Sequence, residues 1–107
     1  MDSRNGHQEF QQAKKLLMQY PSGDRDKIPG YWSAFIDINV GFARISRLRA
    51  TKYAGDQATA LWHLEKGQGH IKDALSKIDK VDDADGKKTE VDLESSRLNE
   101  AKLHFMK

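Results

Sequence analysis

Apolar residues recur at helical spacing along almost the whole chain, and only two prolines and a few clusters of glycine or aspartate interrupt them. The period predicts four helices. The first runs from about Gln8 to Tyr20, where Phe10, Ala13, Leu17 and Tyr20 lie three or four residues apart, and it stops at Pro21-Ser22-Gly23-Asp24. Residues 1–7 ahead of it are expected to be disordered. The second helix starts after Pro29-Gly30 and runs to about Ala54. Tyr31, Phe35, Ile38, Phe42 and Ile45 make one apolar stripe on it, and Trp32, Ile36, Val40 and Ala43 make another. A helix that is apolar on two sides has to be covered on two sides, which predicts a central position. Asp37 and Arg44 occupy the remaining polar strip and are expected to face solvent or a partner.

Gly55 followed by Asp56 combines a helix stop with an N-cap, the pattern of a tight turn. The third helix then spans about Asp56 to Val81, with Leu61, Leu64, Ile71, Leu75 and Ile78 on its apolar face and Gln68 as the missing member. Gly67 and Gly69 sit in its middle, and because each glycine costs about 1 kcal/mol against alanine, a kink or local break is expected there. Residues 82–88 read as an acidic turn. Thr89 caps a fourth helix whose apolar face is Val91, Leu98, Ala101 and Phe105, with Glu94, Arg97, Glu100 and Lys102 outside it. The fold class that follows is all-α: a small antiparallel bundle of about four helices, with a coiled-coil-like central hairpin made by the second and third.

The chain has 107 residues, which predicts a single helical-bundle domain spanning 1–107. With 37% hydrophobic and 32% charged residues, its core must be thin. The absence of cysteine excludes disulfides, thiolate zinc sites and a cysteine nucleophile. No apolar run is long enough for a signal peptide or a membrane span, so a soluble, cytoplasmic protein without a membrane partner is expected.

Chemistry-bearing patterns are sparse. The Asp-rich segment between two helices resembles an EF-hand loop, with Asp83, Asp85 and Gly86 at the third, fifth and sixth loop positions. Val81 and Asp92 depart from the pattern at the first and twelfth, so the segment reads as an ordinary solvated turn. His63 and His70 are seven apart, about 10 Å along a continuous helix and too far to share a metal, and they read as surface histidines. A nucleophile elbow, a phosphate-binding loop and a dinucleotide fingerprint are all missing, since Gly67-x-Gly69 lacks a third glycine and a preceding strand. The expectation is no enzyme, no cofactor and no metal.

Charge adds one feature. Residues 1–55 carry nine cations against five anions, and residues 56–107 carry nine against eleven, so the net charge of +2 is unevenly spread. From Ala43 to Gly55 there are four cations, Arg44, Arg47, Arg49 and Lys52, and no acid. Such a stretch can grip an acidic surface, or it can merely offset the helix dipole. Trp32 and Trp62 add aromatic anchors of the kind that dominate protein interfaces. The function expected is a non-enzymatic helical protein–protein interaction module, an adaptor, assembly factor or inhibitor, with Trp32, Arg44, Arg47, Arg49, Lys52 and Trp62 meeting a protein with an acidic face. Self-association is expected as well, because the two-sided second helix calls for more cover than three short helices supply. The alternative is a nucleic-acid-binding regulator using the basic C-terminal half of the second helix. On this reading Arg47→Glu leaves the helical circular dichroism unchanged and weakens the complex.

Overall fold

The computed structural model describes the backbone of residues 3–106 and the side chains of residues 6–106. Within these residues the fold is an all-α bundle of four helices, α1 (Ser3–Met18), α2 (Tyr31–Lys52), α3 (Gln57–Leu75) and α4 (Ala84–Met106). Short 3-10 turns at Ser22–Lys27 and Ile78–Lys80 lie in the first and third connections. Each helix runs antiparallel to the one before it, and α2 touches all three others. The two stripes of α2 are divided between its neighbours. Ile36, Val40 and Ala43 belong to the core shared with α3 and α4. Tyr31 and Phe42 lie outside that core and meet α1, the Tyr31 hydroxyl donating to the Leu17 carbonyl at 3.0 Å. The cover that α2 requires is thus supplied within one chain, and the reason for expecting self-association falls away.

Three boundaries differ from expectation. Helix α1 begins at Ser3, so of the residues expected to be disordered ahead of Gln8, 3–7 are already helical, while 1 and 2 lie outside the described residues. Its C-terminal carbonyls are satisfied by Arg25, which donates to the Tyr20 and Met18 oxygens at 3.2 and 3.4 Å. Helix α3 stops at Leu75, six residues short of Val81, where the Ser76 hydroxyl donates to the Asp73 carbonyl at 2.6 Å and competes with the helical ladder. Helix α4 starts at Ala84 and not after Thr89, because Asp83 accepts the Gly86 backbone N–H at 3.3 Å and serves as the cap. The acidic turn therefore shrinks to Asp82 and Asp83, and Asp85 and Gly86 lie on a helix, not in a calcium-type loop.

The expected break in α3 is absent, and the helix continues through Gly67 and Gly69. Its buried face explains why. Ala60, Leu64, Gly67, Ile71 and Ala74 alternate small and large at four- and three-residue spacing, so α2 approaches closely wherever a small residue falls. A β-carbon on Gly67 would lie 2.8 Å from Leu98 and 3.3 Å from the Ala43 carbonyl, tighter than packed carbons tolerate. Helix α4 fills the groove on the other side with Val91 and Leu98, both fully buried.

The turn between α2 and α3 is held as its residues predict. Asp56 caps α3, accepting from the Thr59 backbone N–H at 3.2 Å and from its hydroxyl at 2.7 Å. These bonds favour the carboxylate and hold Asp56 below its ordinary range. With the folded value depressed, this contribution is present above the unfolded value and lost as the pH falls through the folded one. Asp56→Ala is expected to lower the thermal midpoint at neutral pH, and the gap to the wild type should narrow as the pH falls below the ordinary carboxylate range. An equal gap at neutral and at acid pH would show that the cap is not its source.

Candidate functional site

The six residues singled out from the sequence do not form one patch. Arg47 sits at the seam of α2 and α4, where its Nε and Nη2 donate to Glu94 at 2.7 and 3.3 Å. Glu94 is only 2% exposed, and Arg44 adds its Nε at 3.6 Å from the other side while remaining 56% exposed. Glu94 was expected on the outside of the fourth helix. It lies inside because Val91, Glu94, Leu98, Ala101 and Phe105 form one continuous face at three- and four-residue spacing. Arg47 is thus committed to the bundle's own acid while Arg44 only borders it, and Arg47→Glu, which would set two carboxylates against each other, is now expected to disturb the fold. The polar strip of α2 runs along the edge of α4 and stays largely in solvent as expected: Asp37, 52% exposed, accepts from Lys87 there at 2.7 Å. That bond holds the Lys87 ammonium above its usual range. An open groove of about 420 Å³ beside this seam is lined by Arg44, Lys87 and Arg97 and by Asp37, Glu90 and Glu94, a mixture of both signs in which Lys87 pairs with Asp37 and Arg44 with Glu94 across the helices.

Trp32 is also engaged internally. Its indole N–H donates to Asp26 at 2.6 Å, Lys77 lies over its ring at 4.5 Å, and Tyr31 and Phe35 pack edge-on against it. It ties the 3-10 turn after α1 and the segment after α3 to the start of α2.

Arg49, Lys52 and Trp62 lie elsewhere, on the parts of α2 and α3 that flank the hairpin turn, and Arg49 faces His63 there. Tyr53, directly after Lys52, stacks on His63 with ring centroids 5.4 Å apart. Trp62 meets the edge of His63 at 4.9 Å, and Lys66, one turn further along α3, places its ammonium 4.4 Å from the Trp62 ring centre. Trp62 and Tyr53 remain 53% and 45% exposed. Burial, reinforced by the charges of Arg49 and Lys66, holds the His63 imidazole below its usual range and so neutral at pH 7. The result is an exposed aromatic shelf edged by cations. The acids nearest in sequence are Asp56, engaged as a cap, and Glu65.

No family model, curated protein or solved structure matches the chain. Tyr53 and Lys66 did not stand out in the sequence, and His63 stood out there only as a metal-ligand candidate too far from His70. The four-residue spacing of Trp62 and Lys66 on a helix, with Tyr53 across a tight turn, is the signal that could have joined them. His70, expected at the surface, is half-buried between α2 and α1, stacked on Phe42 at 4.9 Å with Nδ1 3.2 Å from the Asn39 side-chain Oδ1. Among the described residues no three His, Asp or Glu side chains gather to hold a metal, and no helix is long and apolar enough to cross a membrane.

Proposed function

We propose that this protein is a non-enzymatic binding module that docks a partner protein through the end of its α2–α3 hairpin. One observation carries the reading: Tyr53 and Trp62 stand half-exposed around His63 with Arg49 and Lys66 beside them, on helices fixed by the core. Tyr, Trp and Arg are the residue types that carry binding energy at interfaces when a partner excludes water from them. The cationic border favours a partner with acidic residues around an apolar centre. With Arg47 bonded to Glu94 and Arg44 beside it, the cations of the basic stretch do not line up to track a phosphate backbone, which ranks the nucleic-acid reading second.

Titration separates the two. A fluorescent acidic amphipathic peptide and a fluorescent single-stranded oligonucleotide are each titrated with the protein at two salt concentrations. The expected result is saturable peptide binding, weakened about tenfold or more by Trp62→Ala and by Lys66→Glu, with folding stability changed by no more than about 0.5 kcal/mol because both side chains are exposed. Binding of the oligonucleotide alone, steeply weakened by salt, would favour the second reading. Binding indifferent to both substitutions would remove this surface from the argument.

A further inference from the structure

Helix α1 meets the rest of the bundle through one narrow line of contact on α2. The ring of Phe10 lies where a β-carbon at Gly41 would be and packs on Phe42 at 5.8 Å between centroids. His7 meets the edge of the same Phe42 ring at 5.5 Å, and the Lys14 ammonium lies 5.8 Å from its centre. From α3, His70 stacks flat on Phe42, so two imidazoles from different helices share one phenyl ring. Asn39, 1% exposed, donates its amide to the Phe35 carbonyl at 3.0 Å and turns its oxygen to His70 Nδ1. Nδ1 must therefore donate, and a second proton can add only at Nε2.

We propose that this seam is a proton-operated latch: α1 is held on α2 while His7 and His70 are neutral, and their protonation on acidification drives α1 off. The charged groups facing the pair are unbalanced. Lys14 from α1 and Lys66 from α3 face His70, and Arg49 from α2 and Lys66 face His7, whereas Asp73 is the acid that faces His70 in return. Burial first, and these cations after it, hold both imidazoles below their usual range. A histidine whose docked value is depressed takes up its proton more readily when α1 is away. Docking is thus fully favoured above the ordinary histidine range and weakens as the pH falls through it towards the docked values. Release would uncover Phe42 and Gly41. The latch stands whether or not the hairpin surface binds a partner.

The absence of cysteine permits a direct test. Gln12→Cys on α1 and Leu93→Cys on α4, both exposed positions, carry spin labels, and their separation is followed from about pH 7.5 to pH 5. The expected result is one narrow distance at neutral pH and a growing broad, longer population on acidification, its equilibrium depending on between one and two protons. In His7→Gln/His70→Gln this dependence should vanish, since glutamine keeps a donor for Asn39 and takes no charge. Lys14→Gln, which keeps both imidazoles, should move the opening to lower pH, and it carries the test if the double variant does not fold. An unchanged distance down to pH 5, an unmoved midpoint in Lys14→Gln, or loss of the near-ultraviolet circular dichroism of the core in step with the distance change would each overturn the latch.

Discussion

Arg47→Ala is expected to destabilise the bundle by about 3 kcal/mol, whereas Glu94→Leu should cost about 1 kcal/mol or less. The asymmetry follows from burial. Removing Arg47 leaves the Glu94 carboxylate almost wholly enclosed, with only Arg44 at 3.6 Å and largely in solvent to answer it. Removing Glu94 instead leaves a guanidinium that is 23% exposed and able to turn outward, and leucine extends the apolar face already formed by Val91 and Leu98. A loss of 3 kcal/mol is a large part of the stability of a small domain, which is about 5–15 kcal/mol. Arg47→Glu should be worse than either, for it adds a second enclosed acid. Urea unfolding at neutral pH measures all three. Equal losses for Arg47→Ala and Glu94→Leu would mean that the pair is not desolvated as the packing indicates.

The two mid-helix glycines of α3 are expected to respond in opposite directions. Gly69 has nothing within 4 Å of where a β-carbon would go, so Gly69→Ala should stabilise by about 0.5–1 kcal/mol through helix propensity and a less flexible unfolded chain. Gly67 is enclosed by Leu98, Ser46 and the Ala43 carbonyl. Leu98 can shift, but a backbone oxygen cannot without moving α2, and Gly67→Val should cost about 2–3 kcal/mol through overpacking. Thermal and urea unfolding of the two single variants decide the matter. A stable Gly67→Val would show that α2 and α3 can separate without loss, and the close approach would then have no energetic weight.

These two cases also mark how far the sequence could be read. The number, order and antiparallel arrangement of the helices were legible because apolar spacing reports which face is buried, and the two stripes of α2 marked it as the central helix. The glycines misled because propensity is a local quantity, and at Gly67 the need for interhelical space outweighs it. Glu94 misled because an acid was assigned to the outside by its chemistry, although its spacing from Val91 and Leu98 placed it inside. The acid-free stretch of α2 was a clue to that same pair, since cations clustered next to a core imply an anion on a neighbouring helix. The start of α4 was missed because Thr89 and Asp83 are both competent caps, and only the structure shows which one carries the helix. Of the predicted contact residues, Arg49, Lys52 and Trp62 lie at one end of the hairpin. Trp32, Arg44 and Arg47 bond to acids of their own chain, which no single-residue property reveals.

The loop joining α2 and α3 is only Tyr53–Asp56, and this brevity orders the assembly of the molecule in time. Residues flanking so short a loop meet after little loss of chain entropy, and each further pair along the hairpin then closes an only slightly larger ring. Arg47 and Glu94, 47 residues apart, cannot find each other so cheaply. The hairpin is thus expected to form ahead of the contact between α2 and α4.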